Sequence, residues 1–145
     1  MIDLDNQTTL HLDIEILERI SSSLSTKEVE LIITDDETMK ALNFKYRGKK
    51  SSTDVLSFPM DAPFTEQSIF GIPLGSIVIS ESFVKDNAKA LGHTIEDETA
   101  LLFIHGMLHL LGFDHEKDLG EMRDREKTLI KKFDLPKSLI VRTGE

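Results

Sequence analysis

The stretch from Thr94 to His115 constrains the fold of this chain more than any other part of its 145 residues. Thr94 precedes three acidic residues, Glu96 to Glu98, and a capping threonine followed by acids is typical of the start of a helix. The sequence then continues as an apolar run through Phe103 into Leu111. A helix that is apolar nearly all round has to be buried on most of its sides. We therefore predict a central buried helix around which the other elements pack.

Three of the five histidines lie close together at the end of this predicted helix, in the pattern H-x-x-x-H-x-x-G-x-x-H. His105 and His109 are four residues apart, so on a helix their side chains lie on one face. Gly112 can end the helix, since glycine adopts a left-handed conformation at little cost, and a chain that turns back there can bring in His115. Three imidazoles with a free fourth position are the ligand set of a catalytic zinc site.

The alternative for these histidines is an ordinary role in the core. A single histidine on an apolar helix is usually a core residue that has found hydrogen-bond partners. Two of them one turn apart among leucines are harder to explain in this way, because burying each imidazole costs free energy unless its nitrogens are satisfied. We therefore predict that His105, His109 and His115 bind one metal ion. His11 and His93 lack such neighbours and are predicted to be ordinary surface residues.

The rest of the chain predicts a small α+β domain, one unit covering residues 1–145. Period-two and helical patterns indicate about four strands and about five helices in total, the histidine helix included. The predicted strands are 1–7, at an edge of the sheet, 29–33, 53–58 and 75–80; the other helices are 10–24, 36–46, 81–91 and 116–133, the last with Leu119 and Met122 facing inward. These elements do not follow a strict βαβ order, so we expect a mixed sheet.

Composition excludes several classes of protein. The chain has no cysteine, so it can form neither a disulfide nor a thiolate metal site. No apolar run approaches the roughly 18 residues of a membrane span, and the acidic N-terminus does not resemble a signal peptide, so the cytoplasm is the expected location. The formal net charge of −9 argues against a broad phosphate-binding surface.

One segment departs from this acidic background. The range 40–50 carries five basic residues and no acidic one: Lys40, Lys45, Arg47, Lys49 and Lys50. The segment is either a solvated loop or a local site for an anionic substrate, and the sequence alone leaves both interpretations open.

The histidine pattern is similar to that of the zincin metalloproteases, which read H-E-x-x-H-x-x-G-x-x-H. The three histidines and the glycine match in spacing, but Gly106 stands where the proteases have their glutamate. That carboxylate is the usual general base of amide hydrolysis. Peptide hydrolysis is therefore the weaker hypothesis.

The stretch 105–115 resembles more closely the H-G-x-L-H-L-x-G-Y-D-H signature of the YbeY family, bacterial zinc-dependent endoribonucleases of rRNA maturation and ribosome quality control. The resemblance extends to 42–47, to 53–59 and to the helix that carries Glu121, Met122 and Glu126. The chain departs from the family pattern twice. Phe113 replaces the usual tyrosine, and Ser76 stands where the family commonly has an aspartate.

The resemblance implies that His105, His109 and His115 bind one zinc ion and that Arg47 is the basic residue of the active cleft, with Arg47 and His105 catalytic. It implies RNA as substrate, with a role in 16S rRNA 3′-end maturation and ribosome quality control and with the ribosome or its proteins as partners, but neither DNA nor a membrane. We expect the RNA to be single-stranded, because an unpaired backbone can enter a cleft that a duplex cannot. Arginine suits this role because its planar guanidinium matches two phosphate oxygens.

Some parts of this hypothesis stay open. The general base is zinc-bound hydroxide, the RNA 2′-hydroxyl or a carboxylate such as Asp114, which can instead orient an imidazole or close a turn. Ser57 and Thr53 are candidates to line the cleft. The alternative functions are a zincin-like metallohydrolase acting on peptides or other esters, and a non-catalytic module associated with the ribosome. The sequence does not indicate an oligomeric state.

Overall fold

The computed structural model describes residues 1–60, 73–114 and 117–136. Within these ranges the chain forms four strands and five helices, as predicted. In chain order they are β1 (Ile2–Asn6), α1 (Ile14–Leu24), β2 (Val29–Thr34), α2 (Asp36–Arg47), β3 (Val55–Pro59), β4 (Gly75–Ser80), α3 (Glu81–Leu91), α4 (Ile95–Leu110) and α5 (Glu121–Lys132).

The strands form one mixed sheet in the order β1-β2-β4-β3. The pairs β1–β2 and β2–β4 are parallel, whereas β3 runs antiparallel to β4. Among the described residues β3 is therefore an edge strand, and Pro59 fits there because an edge strand does not need every backbone N–H for pairing. This architecture confirms the predicted α+β class and the mixed sheet.

The two faces of the sheet pack against different helices, because successive side chains of a strand point in opposite directions. Leu31, Ile33, Ile77 and Ile79 belong to the main core together with residues of α1 and α4. On the other face Val78 and Leu56 form a smaller cluster with Met39 of α2. The edge of β3 thus lies between α4 on one face of the sheet and α2 on the other.

Helix α4 is the central element of the main core, as predicted. Its side chains are buried along most of its length, and Phe103, Ile104, Met107 and Leu108 are completely buried. Thr94 caps its first turn by accepting a 3.0 Å hydrogen bond from the backbone N–H of Asp97. None of the described helices is both long and apolar enough to cross a membrane.

Two predicted helix starts are wrong, and in both places an aspartate ahead of the helix accepts a hydrogen bond from an N–H group of its first turn. Helix α1 begins at Ile14 rather than Leu10, because the Asp13 carboxylate accepts a 3.3 Å hydrogen bond from the N–H of Ile16. Leu10 is nevertheless buried.

Helix α5 begins at Glu121, whereas the prediction placed its start at Glu116, which lies outside the described residues. The Asp118 carboxylate accepts hydrogen bonds from the N–H groups of Gly120 and Met122 and fixes the turn before the helix. Leu119, predicted to face inward, lies in that turn and is 98% exposed.

Candidate metal centre

A cleft of about 680 Å³ runs along the β3 edge of the sheet, between the C-terminal half of α4 and the end of α2. It brings together three of the four predicted site residues, Arg47, His105 and His109. The fourth, His115, lies outside the described residues. Thr53, Ser57 and Asp114, also singled out from the sequence, line the same cleft, as do Lys49, Asp54, Val55, Leu56, Pro59, Gly112 and Phe113.

The two described histidines face each other through their Nε2 atoms, which are 3.1 Å apart. Their rings meet edge to face, with centroids 4.6 Å apart. His105 and His109 occupy equivalent positions on successive turns of α4, so the spacing predicted from the sequence is present in the structure.

The other nitrogen of each ring is held by an acceptor. Nδ1 of His105 lies 2.8 Å from Oε1 of Glu126. Nδ1 of His109 lies 3.0 Å from the backbone oxygen of Phe113. A carbonyl oxygen and a carboxylate can only accept here, so each Nδ1 carries the hydrogen. In the neutral rings both Nε2 atoms then present a lone pair, which is the form that binds a metal.

These two lone pairs repel each other unless a proton or a cation is shared between them. Two nitrogens that bind one tetrahedral zinc ion at about 2.0–2.1 Å are about 3.4 Å apart, close to the separation between His105 and His109. The donor set therefore fits zinc. No group of three or more histidine, cysteine or acidic side chains able to hold a metal occurs within residues 1–60, 73–114 and 117–136. The assignment of His115 as the third ligand stays a prediction.

The turn after α4 explains how Phe113 comes to hold His109. Gly112 has φ +99°, a conformation that favours glycine. The N–H groups of Gly112 and Phe113 donate to the carbonyl oxygens of His109 and Leu108, both at 3.0 Å, which is the Schellman pattern of helix termination. Phe113 packs against the main core, and its carbonyl oxygen is thereby turned back to the imidazole. The predicted helix end at Gly112 is confirmed.

Gly106 has a packing role that the sequence did not show. A Cβ atom at this position would lie 2.9 Å from Cγ2 of Ile77 in β4. Its carbonyl oxygen accepts a 3.3 Å hydrogen bond from the Ser57 hydroxyl of β3. The helix lies so close to the sheet that a glutamate at position 106 would be directed against Ile77. Glycine here is a requirement of helix–sheet packing.

Arg47 is the last residue of α2, and Gly48 ends that helix with φ +68°. The following segment is held to the helix by Asn43, which is buried and donates a 2.6 Å hydrogen bond from Nδ2 to the carbonyl oxygen of Ser51. This contact fixes the path of the basic segment beside β3. Arg47 and Lys49 consequently lie in the same cleft as the histidines.

Glu126 is a residue of the site whose role the sequence did not reveal. It is only 5% exposed, although it is charged, because its carboxylate is turned towards His105. The signal that could have revealed it is its place on α5, where it interrupts the buried stripe formed by Met122, Leu129 and Ile130. An acid on the apolar side of a helix needs a buried partner.

Asp114 and Ser76, which were also singled out from the sequence, each form hydrogen bonds that show their roles in the fold. The carbonyl oxygen of Asp114 accepts hydrogen bonds from the N–H groups of Lys117 and Asp118, so the residue closes a turn through its backbone. The Ser76 hydroxyl donates a 2.8 Å hydrogen bond to Oε1 of Glu30 on the adjacent strand. Ser76 alternates with Ile77 and so lies on the face of the sheet opposite α4, away from the histidines.

Comparison with known proteins gives relatives along the whole chain. The family described as "Endoribonuclease YbeY" matches residues 2–134. A curated protein of that name from Sulfurovum sp. (strain NBC37-1) is 61% identical over 142 residues, which cover 98% of this chain and 97% of the relative. Another, from Helicobacter pylori (strain J99), is 54% identical over 147 residues, which cover 100% of this chain and 99% of the relative.

A similar fold has also been solved experimentally. The solution structure of a Thermotoga maritima protein superposes with a TM-score of 0.59 at 27% identity, covering 92% of this chain and 89% of that protein. The fold and the relatives agree with the resemblance seen in the histidine signature, and the chain belongs to the YbeY family.

Proposed function

We propose that this protein is an endoribonuclease that hydrolyses phosphodiester bonds of single-stranded RNA with one zinc ion held by His105, His109 and His115. The names of its relatives support the reaction class. The observation that carries the proposal is that Arg47 and the two facing imidazoles line the same cleft. A cation site and an arginine together suit a phosphodiester, which is anionic and gains charge in the transition state.

Zinc bound at this site would polarise a phosphoryl oxygen and make water a better nucleophile. The chain's own residues orient the imidazoles and bind the substrate. Glu126 and the Phe113 carbonyl oxygen hold the two rings with Nε2 facing the cleft. Arg47 binds two phosphate oxygens through its planar guanidinium and stabilises their charge, and Lys49 attracts the phosphate backbone of the RNA.

The position of the cleft supports a single-stranded substrate. The cleft lies between two walls, α4 with the histidines and the end of α2 with Arg47, so a phosphate has to enter between them to reach both groups. An unpaired strand can place one phosphate there, whereas a duplex presents its two backbones on a wide, stiff surface.

The biological context of the proposal rests on the family resemblance. We propose 16S rRNA 3′-end maturation and ribosome quality control as the setting, in the cytoplasm, with the ribosome or its proteins as partners. The chain has no tryptophan and one tyrosine. Together with the acidic body, this composition suggests weak, salt-sensitive binding of isolated RNA, so partners would supply much of the selectivity.

The test is to measure bound zinc and RNA cleavage on the same preparations. Wild type, His105→Ala and, as a matched surface control, His11→Ala are incubated with single-stranded and double-stranded RNA. We expect near-stoichiometric zinc and single-strand cleavage in wild type and His11→Ala, and loss of both in His105→Ala. Equal cleavage by all three proteins would indicate a contaminating nuclease. Metal-dependent cleavage of casein without cleavage of RNA would favour a zincin-like hydrolase instead.

A further inference from the structure

Phe44 is an exposed aromatic residue next to the arginine of the site. Its side chain belongs to neither face of the sheet core, and the residue is 54% exposed. The other phenylalanines within the described residues are buried or partly buried. A ligand that covers an exposed phenyl ring gains the free energy of removing its apolar area from water.

The helix geometry aligns Phe44 with two cationic residues. Lys40, Phe44 and Arg47 are spaced four and three residues apart on α2, so they lie on one side of the helix, and Met39 and Asn43 on the adjoining side are buried. Arg47 lines the cleft. The three side chains therefore form a stripe that starts at the cleft and continues along α2, with the aromatic ring between the two charges.

The charge around this stripe is suited to a nucleic-acid strand. The range 40–50 contains no acidic residue, although the whole chain carries 26 acidic and 17 basic residues. A strand drawn to this segment meets cations at Lys40 and Arg47 with a flat apolar surface between them. Alternation of cations and aromatic rings is how proteins hold single-stranded nucleic acid without reading its sequence.

We propose that Phe44 is a stacking platform for one base of the RNA strand whose phosphate enters the cleft, with Lys40 and Arg47 contacting phosphates on either side of that base. The ligand is the nucleobase of an unpaired nucleotide next to the cleavage position. This inference rests on the proposed function and adds to it a binding site outside the cleft. It predicts that substrates reaching beyond the cleft bind more tightly than a dinucleotide.

The absence of tryptophan from the chain allows a direct test of stacking. In Phe44→Trp the new indole is the sole tryptophan, and a base stacked on it quenches its fluorescence. Leu91→Trp is the matched control, since Leu91 is 41% exposed but precedes the N-terminus of α4, whereas the histidines lie near its C-terminus. A 12-nucleotide single-stranded RNA is mixed with each variant by stopped flow. We expect it to quench the indole of Phe44→Trp and to leave the fluorescence of Leu91→Trp unchanged. Equal quenching in both variants, or none in Phe44→Trp while RNA is bound, would overturn the proposal.

A second set of variants separates stacking from simple loss of an apolar contact. Phe44→Leu should weaken binding of the 12-nucleotide RNA about tenfold, whereas Phe44→Tyr should restore it. Hydrolysis of a dinucleotide analogue that is abasic on that side should be the same in all three proteins, because it has no base to stack on position 44. Circular dichroism checks that each variant is folded. Unchanged affinity in Phe44→Leu would contradict the proposal.

The experiments distinguish failure of the stacking platform from failure of the proposed function. If wild type neither binds nor cleaves single-stranded RNA, the proposed function is wrong. If wild type cleaves the 12-nucleotide RNA and Phe44→Leu does so with the same KM, only the stacking platform is wrong. If Phe44→Leu keeps its RNA affinity but loses binding to ribosomes, the ring contacts a protein partner and the proposal is overturned.

Discussion

The Glu126 carboxylate in α5 lies 2.8 Å from Nδ1 of His105 in α4. This contact joins helix α5 to the candidate metal centre. It also fixes which nitrogen of His105 is available to a metal, because a carboxylate at Nδ1 leaves the lone pair on Nε2. Helix α5 is therefore part of the site although it does not line the cleft.

Replacing Glu126 with glutamine should weaken zinc binding by about 10- to 100-fold while the domain stays folded, because the amide keeps the shape of the side chain and removes its charge. Competition with a chromogenic chelator measures the affinity. Glu121→Gln is the control, as Glu121 is exposed in the first turn of the same helix. An unchanged zinc affinity in Glu126→Gln would show that the contact does not support the metal.

Gly106→Ala should destabilise the domain even though alanine favours helices. The added methyl group would lie 2.9 Å from Cγ2 of Ile77. Forcing an extra methyl group into a packed core costs about 1–3 kcal/mol, against a gain of about 1 kcal/mol in helix propensity. Urea denaturation measures the free energy of unfolding.

The matching control for this variant is the double substitution Gly106→Ala/Ile77→Ala, which removes the collision. Its destabilisation should be smaller than the sum of the two single effects. If the two destabilisations were strictly additive, the side chains at positions 106 and 77 would not be in steric contact.

Ser76→Asp should lower stability without affecting catalysis. The new carboxylate would face Glu30, which now accepts the hydrogen bond from Ser76, and like charges directly opposite on neighbouring strands destabilise a sheet by up to about 1 kcal/mol. Adding Glu30→Lys should restore the melting temperature. RNA cleavage should not change in either variant, since the Ser76 side chain bonds Glu30 and does not line the cleft; a change in cleavage rate at constant stability would contradict this placement.

Asp35 should give the domain a pH-dependent contribution to stability. The backbone N–H of Thr38, and then the Thr38 hydroxyl, hold the pKa of Asp35 below its usual value. A carboxyl group with a lowered pKa in the folded state stabilises it above the ordinary pKa of about 3.9, and this contribution disappears as the pH falls through the lower, folded-state pKa. The carboxylate also lies at the N-terminus of α2, the helix that ends with Arg47.

The comparison of wild type with Asp35→Asn tests this effect, since asparagine keeps the cap but has no charge. The wild type should have the higher melting temperature at pH 7, and the difference should shrink as the pH falls below about 4. A difference that is constant across this range would exclude the carboxylate charge as its cause.

The parts of the structure that follow from local sequence were predictable. The spacing of His105 and His109 and the glycine at 112 define a helix face and a helix end, and both need only neighbouring residues. The starts of α1 and α5 were missed because Leu10 and Leu119 continue a helical spacing, whereas the carboxylates of Asp13 and Asp118 bind N–H groups of the first turns and set the observed starts.

The remaining features depend on contacts between distant segments. The collision that excludes a side chain at Gly106 requires the helix–sheet distance, and the role of Glu126 requires the packing of α5 against α4. Arg47 was assigned by family resemblance, and its position beside the histidines depends on how α2 packs on the sheet. No local pattern encodes these relationships.

The most direct test of the central claim, that Arg47 and the histidines form one phosphodiester-cleaving site, is kcat/KM for a single-stranded RNA in fully zinc-loaded Arg47→Ala. Removing a group that stabilises transition-state charge should lower kcat/KM by about 10²- to 10³-fold. Zinc content should stay the same, Arg47→Lys should recover only part of the activity, and Arg19→Ala, near the N-terminus of α4, should match the wild type. Activity of Arg47→Ala within twofold of the wild type would contradict the account.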